Sequence, residues 1–357
     1  MSPSPSEVTS KYLVTGASGF LGSWIVHQLL EAGHFVRGTA RGAKVDGLKH
    51  AFQQYHRFEV ATISDISQDD ITGTLKDIEF IIHTAAPLPG RADLDTALKV
   101  TVNGSLNVLK HAAAANIQNI VVTGSIGSFP TSGPFNPGTF NNITLDGARA
   151  AKSDPWLTYF VSKANAEKAI LRFSQMYPYL NITIISPGHL FGPFAPGFEK
   201  LLVTQPDYGN MSTNGYIAAM MDANNTLWPP SAGIVDVRDA ARAHINALSA
   251  PPAPRKRFLL VTPENCSWRD AIDFIYEERP HLRDRLCNSN SAPKHRSLAT
   301  VADHKRVENA LSMSLDSYIT WKQTVLDSVD AITAIEEVWA SKGFVFSVPT
   351  NGPTAML

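Results

Sequence analysis

One segment near the start constrains this chain more than any other: Leu13-Val14-Thr15-Gly16-Ala17-Ser18-Gly19-Phe20-Leu21-Gly22. Leu13, Val14 and Thr15 read as a buried strand. Three glycines follow, at Gly16, Gly19 and Gly22, and then Ser23 to Ala32 reads as a helix with Trp24, Ile25, Leu29 and Leu30 at helical spacing. Strand, glycine turn and helix in that order bind a dinucleotide pyrophosphate. Gly16 permits the tight turn, Gly19 lets the backbone approach the phosphates, and Gly22 lets the helix pack close to the strand. The helix N-terminus adds free N–H groups and the positive end of its dipole. The spacing is G-x-x-G-x-x-G, so the turn alone does not decide the fold.

The rest of the chain continues the alternation. Strands are expected at His34–Thr39, Phe58–Ile63, Ile78–Ile82, Ile120–Ser125 and Asn181–Ser186. Helices are expected at Ala43–Tyr55, Asp93–Ala115 and Trp156–Met176. Alternation of this kind implies right-handed crossovers and an α/β fold with a doubly wound parallel sheet of the Rossmann type. Residues 11–193 make the dinucleotide-binding domain. Residues 194–340 make mainly a smaller mixed α/β substrate lobe, with 233–249 returning to the first domain. Residues 1–10 are a disordered lead-in and 341–357 a tail. Phe129–Pro155, rich in Pro, Gly, Asn and Ser, reads as a loop over the site mouth. Ala195–Ala232 shows no clean period. Further on, a strand is expected at Phe258–Val261, a helix capped by Ser267, and a last helix over Leu315–Ala340.

Composition narrows the function. Net charge is −1 over 357 residues, so there is no electrostatic case for nucleic acid or an anionic membrane as partner. No apolar run approaches the about 20 residues that span a bilayer. Ser2-Pro3-Ser4-Pro5-Ser6 lacks the apolar core of a secretory signal. Cys266 and Cys287 fit no metal or redox spacing, so no metal site is expected and the thiols point to a reducing, cytoplasmic setting.

Ligands of such sheets bind beyond the carboxyl ends of the strands. The glycine turn, Arg41, Asp65, Ala85-Ala86 and Ser125 all fall there. After the second strand the usual acid for a ribose 2′-hydroxyl is absent and Arg41 is present, with Arg37, Lys44 and Lys49 near. Guanidinium pairs with phosphate through two parallel hydrogen bonds, so Arg41 is the candidate clamp for an NADP 2′-phosphate. Whether Lys44 or Lys49 assists it stays open. Asp65 is placed to reach an adenine amine while Ile66 covers the ring. The small residues Ala85 and Ala86 suit a loop passing close under a cofactor. His83 ends a buried strand and reads as structural, and Asn103 and Asn107 are expected to satisfy nearby backbone. Tyr159 and Lys163 stand four apart, on one helix face. A nearby ammonium favours the phenolate and lowers the tyrosine's pKa toward neutrality. Ser125, 34 residues upstream, ends the central strand and can hydrogen-bond a substrate oxygen.

Four stretches resemble the extended short-chain dehydrogenase/reductase family: Thr15 to Gly22; Arg37 to Arg41; Tyr159-Phe160-Val161-Ser162-Lys163 with Ala166-Glu167-Lys168; and Asp236-Val237-Arg238-Asp239 with Ala241-Arg242-Ala243-His244. The likeness runs from about Lys11 to Ala340 and is greatest to the branch of plant dihydroflavonol reductases and fungal aldehyde and ketone reductases. The resemblance implies a catalytic Ser125, Tyr159 and Lys163, with NADP(H) held by Gly16, Gly19, Phe20, Leu21, Gly22, Arg41, Lys44, Asp65 and Ile66. Ala85, Ala86, Pro87, Tyr159, Lys163, Pro187 and Gly188 complete that set, Pro187 beside the nicotinamide. It implies NADPH-dependent reduction of a small-molecule aldehyde or ketone, Tyr159 giving the proton, by a monomer or weak dimer. An NAD-linked sugar-nucleotide epimerase, a hydroxysteroid-type dehydrogenase and a non-catalytic NADP-binding redox sensor are the alternatives. The chain departs from the branch at Gly124, where serine is usual, at His189, where an apolar residue is usual, and in the Phe129–Pro155 loop, which lacks the branch's acid-and-tryptophan pattern. These departures leave the substrate open.

Overall fold

Apolar runs with no polar alternation demand burial on both faces, and that is where they lie. A computed structural model describes residues 9–131, 135–151, 154–226, 228, 233–253, 255–294 and 302–348. The Ser2–Ser6 lead-in, parts of the two loops above and residues 349–357 of the tail lie outside the described residues.

The strands are β1 (Lys11–Thr15), β2 (Phe35–Ala40), β3 (Phe58–Thr62), β4 (Phe80–His83), β5 (Asn119–Thr123), β6 (Asn181–Pro187), β7 (His189–Phe191), β8 (Ile234–Asp236) and β9 (Arg257–Leu260). Seven form one parallel sheet in the order β3-β2-β1-β4-β5-β6-β9, and β7 pairs with β8 in a second small sheet. The chain moves outward from β1 to β3 and then returns to place β4 on the other side of β1. The carboxyl ends of β1 and β4 therefore diverge into a crevice. Alternate strand residues serve opposite cores. Val14, Ile82 and Val121 face one, and Leu13, Ile81, Ile120 and Val122 face the other.

The helices are α1 (Phe20–Glu31), α2 (Lys44–Ala51), α3 (Leu94–Leu98), α4 (Gly104–Ala114), α5 (Leu145–Ala150), α6 (Pro155–Met176), α7 (Glu199–Leu202), α8 (Asn214–Met220), α9 (Val237–Ala247), α10 (Trp268–Glu278), α11 (His304–Leu311) and α12 (Trp321–Ser341). Ser267 caps α10 as expected, accepting from the N–H of Asp270. The helix expected over Asp93–Ala115 is split by a π-helical turn at Lys99–Asn103. Thr101 and Ser105 there bond carbonyls four residues back, which loosens the regular ladder. Asn107 does satisfy backbone, donating to the carbonyls of Ile66 and Asp69, whereas Asn103 is exposed. The last helix starts at Trp321, not Leu315. Arg242 holds the Ser317 carbonyl and Asp239 holds the Ile319 N–H, and Thr320 caps the new start.

The aperiodic stretch after Ala195 contains α8, all seven of whose residues are buried. A helix enclosed on every side has no polar face to reveal it. α5, six residues capped by Thr144, hides in the loop expected over Phe129–Pro155. β9, from within 194–340, joins the main sheet beside β6. One apolar cluster runs from the sheet face under α1 and α9 into α8, α10 and α12, so the C-terminal segments pack on the same core as the sheet. Among the described residues no helix is long and apolar enough to cross a membrane.

Candidate active site

The glycine turn closes as its composition requires. Gly16 has φ +71°, and a Cβ there would lie 2.7 Å from Thr84 Oγ1 and 2.9 Å from the Ala85 nitrogen. A Cβ on Gly22 would lie 2.2 Å from the Gly16 carbonyl oxygen. The Gly19 N–H donates to that carbonyl at 2.9 Å. Phe20 and Leu21 bury their side chains in the core while starting α1. No side chain caps α1 and its first turn holds no acid, so its leading N–H groups are open to an anion. Ala85, Ala86 and Pro87, partly exposed, pass over this turn from the end of β4. Beneath it, Thr15 Oγ1 meets His83 Nδ1 at 2.7 Å, and His83 Nε2 is buried without a partner. Burial drives the His83 imidazole down to about 3.

Beyond β2 a cationic cluster forms. The Lys44 ammonium is held below its ordinary range, first by desolvation and then by the charges of Arg41 and Arg91. Crowded like charges of this kind fit a phosphate. The other two basic candidates are engaged elsewhere. Arg37 bonds Glu59 and the carbonyls of Thr74 and Lys76, and Lys49 pairs with Asp46 at 3.4 Å. Asp65 accepts from Ser67 and pairs with Lys99 at 2.9 Å, contacts that pull its carboxyl down to about 2. Ile66 packs against Gly104 in α4.

Ser125, Tyr159 and Lys163 meet at the carboxyl end of β5. Asp154 caps α6 through the N–H groups of Trp156 and Leu157, with Pro155 in the first turn, which sets Tyr159 and Lys163 one turn apart. Ser125 Oγ accepts from the Gly127 N–H at 3.1 Å and lies near enough to the Tyr159 phenol to favour its ionised form. Lys163 Nζ lies 5.9 Å from the Tyr159 ring centre and donates to the Thr123 carbonyl at 2.9 Å. The expected acidification of Tyr159 by Lys163 is not what this arrangement produces. Burial pushes the phenol up to about 12, Ser125 opposes it, and the Glu167 charge adds to the rise. Lys163 is itself lowered to about 8 by burial, against the opposing pull of Glu167. In this state the phenol is a loaded proton donor. Thr123 Oγ1 also meets His244 Nε2 at 2.9 Å.

Pro187 ends β6, and Gly188 follows where a Cβ would lie 2.2 Å from the Gly233 carbonyl oxygen. Aromatic rings then line one side of the tyrosine. The Trp156 ring stands edge-on to Tyr159 at 6.4 Å and to His189 at 6.0 Å, and His189 stands edge-on to Tyr216 at 6.4 Å. Burial lowers the His189 imidazole to about 4, so it is neutral.

Residues 12–259 match the NAD dependent epimerase/dehydratase family. The chain belongs to this family. Among its relatives, the NADPH-dependent methylglyoxal reductase GRE2 of Saccharomyces cerevisiae is 27% identical over 348 residues, covering 90% of this chain and 98% of that protein. Ketoreductase adrE of Penicillium roqueforti is 30% identical over 287 residues, covering 76% and 81%. The crystal structure of yeast methylglyoxal/isovaleraldehyde reductase Gre2 complexed with NADPH has a TM-score of 0.76 at 25% identity, covering 92% of this chain and 99% of that chain. The extended short-chain dehydrogenase/reductase assignment, with the fungal reductase branch, agrees with these relatives.

Against this family background, two residues behind Ser125 were given no role from the sequence, although Glu167 stands in one of the family stretches. Glu167 carries a signal in hindsight: it lies one helical turn beyond Lys163, as Lys163 lies one turn beyond Tyr159. Arg257, its buried ion-pair partner on β9, lies 90 residues away with no local pattern to mark it. The Asp236-Val237-Arg238-Asp239 stretch has an architectural role. Asp236 caps α9, pairs with Arg238 and accepts from Thr324, tying α12 to the sheet.

Proposed function

We propose that this family member reduces an aldehyde or ketone to the alcohol with NADPH, with Ser125, Tyr159 and Lys163 as its catalytic residues. The observation that carries the reading is the placing of Tyr159 beside Lys163 and Ser125, at the open end of the sheet and next to an uncapped glycine turn. NADPH, when bound, supplies the hydride. Gly16, Gly19, Phe20, Leu21 and Gly22 bind the pyrophosphate through backbone, and Arg41 with Lys44 takes the 2′-phosphate. Asp65 and Ile66 border the adenine. Ala85, Ala86 and Pro87 border the pyrophosphate side, and Pro187 and Gly188 the nicotinamide side. The Ser125 hydroxyl and the Tyr159 phenol hold the carbonyl oxygen, and the phenol passes its proton to the oxygen as negative charge develops there. Lys163 keeps a positive charge beside that oxygen and the ribose hydroxyls.

The absent acid after β2 and the Arg41–Lys44–Arg91 cluster favour NADP over NAD, which speaks against an NAD-linked epimerase. A non-catalytic redox sensor has no use for the assembled trio. Arg41→Ala is expected to raise the KM for NADPH by about 10- to 100-fold, the worth of a charge-assisted contact, and to leave the KM for NADH within about twofold. Unchanged cofactor preference in steady-state kinetics removes Arg41 from the site.

The rings of Trp156, His189 and Tyr216 favour a carbonyl bearing a flat apolar substituent. Phenylglyoxal is expected to exceed methylglyoxal in kcat/KM by about tenfold, from burial of one ring, and Trp156→Ala to erase that preference. NADPH oxidation with both compounds tests the activity and the preference together: reduction of neither, nor of other aldehydes and ketones, sinks the reductase reading. Cys266 and Cys287 are buried and form no disulfide, which supports a cytoplasmic protein, and the near-zero net charge fits a small-molecule partner. We assign it as a monomer or weak dimer, for light scattering to test.

A further inference from the structure

A fully buried ion pair lies directly behind the catalytic serine. Glu167 Oε1 accepts from the Ser125 N–H at 2.9 Å, from Ser128 Oγ at 2.7 Å and from Ser186 Oγ at 3.2 Å. Its other oxygen pairs with Arg257 Nε, and the two side chains are 1% and 0% exposed. Arg257 in turn donates to Ser128 Oγ at 2.9 Å and to the Thr139 carbonyl. Its guanidinium lies 3.5 Å from the Phe129 ring centre and 4.1 Å from that of Phe140.

Taking two charges out of water costs several kcal/mol each, and an apolar pair of similar volume often stabilises as well or better. Stability alone is therefore a poor reason for the pair to be here. Its hydrogen bonds supply a better one, because Oε1 binds both ends of the segment Ser125–Ser128. The strand end is also shaped to admit the carboxylate. A Cβ on Gly124 would lie 2.3 Å from Glu167 Oε1 and 2.3 Å from Ser186 Oγ. That accounts for glycine in the Thr-Gly-Ser sequence, because a side chain there would expel the carboxylate.

We infer that Glu167 and Arg257 form a positioning couple: Glu167 fixes the backbone of Ser125 so that its hydroxyl meets Tyr159, and Arg257 holds the carboxylate in that register. The inference rests on the reading of Ser125 as catalytic. Neither member of the couple touches substrate. Glu167 acts through the serine's N–H, and Arg257 acts through Glu167.

The test compares two repaired couples, each without an unpaired charge. Glu167→Gln with Arg257→Met keeps an acceptor for the Ser125 N–H. Glu167→Leu with Arg257→Met keeps the volume and loses the acceptor. The first is expected to melt close to the parent protein and the second several degrees lower, because it leaves the buried Ser125 N–H without its acceptor. The first is expected to keep kcat within about fivefold. The second is expected to lose at least about 20-fold in kcat with the Kd for NADPH within twofold, and that loss is expected to vanish in a Ser125→Ala background, since contacting residues couple. Gly124→Ala, which displaces the carboxylate and leaves both charges, is expected to give the same background-dependent loss if the leucine variant does not fold. Equal kcat for the two couples, or a loss of the same factor with and without Ser125, overturns the positioning role and leaves a structural ion pair. Full turnover by Ser125→Ala alone overturns the serine's own role, and the couple's with it.

Discussion

Tyr159→Phe is expected to lower kcat by about 10³-fold while the Kd for NADPH stays within twofold. The ring is retained, so its edge-on packing against Trp156 at 6.4 Å survives. Only the hydroxyl is lost, and with it the proton the reaction needs. A positioned general acid contributes about 10²- to 10⁴-fold, which sets the size of the effect. Burial pushes the phenol up to about 12, so at neutral pH the donor is protonated and loaded. Lys163 stands lower, at about 8. Activity is therefore expected to hold below pH 8 and to fall above it as the lysine loses its charge, well before the phenol titrates. The comparison requires stopped-flow hydride transfer and equilibrium cofactor titration on the same preparations. Parent-like turnover by the phenylalanine variant ends the proposed mechanism.

Acid is expected to destabilise the fold from about pH 6.5 downward. His83 and His244 are buried and His189 is partly buried, and all three are neutral, lowered to about 3, about 4 and about 4, chiefly by burial. Their folded values lie below the ordinary histidine value of about 6.5, so the unfolded chain takes up three protons that the folded chain refuses. Their contribution is present above pH 6.5 and drains as pH falls toward 4, at about 1.4 kcal/mol per pH unit for each group. Asp239 works the other way. Burial raises its carboxyl to about 6, so the folded state takes that proton first and gains stability as pH falls from 6. With three histidines against one aspartate, the net slope below pH 6 is then about 2.8 kcal/mol per unit. Melting temperature is expected to drop by several degrees between pH 7 and pH 5, and His244→Gln to flatten that drop. A melting temperature level across this range refutes the assignment of the three histidines as neutral in the folded protein.

The order of strands and helices through β6 was legible because burial on both sheet faces leaves unbroken apolar runs, and amphipathic helices leave a period. The glycine turn was legible because only glycine tolerates the Gly16 conformation and the Gly22 approach. The membership of β9 in the main sheet was not legible, since a four-residue apolar run carries no record of its neighbour. Nor was α8, which is enclosed on all sides, or the delayed start of α12, which side chains of α9 enforce from 75 and 80 residues away.

By itself the sequence determined the parallel sheet, the cradle at Gly16–Gly22, the basic residue after β2, and the pairing of Tyr159 with Lys163 on one helix face. Each of these is local, a matter of backbone freedom or helical geometry within a few residues. Only the tertiary structure decided which groups surround them. It turned Arg37 and Lys49 away from the cofactor side and gathered Arg41, Lys44 and Arg91. It also raised rather than lowered the tyrosine, and brought Glu167 and Arg257 behind Ser125. The physical reason is that desolvation and charge pairing depend on distance in space, and residues 90 apart in the chain become neighbours only when the sheet closes.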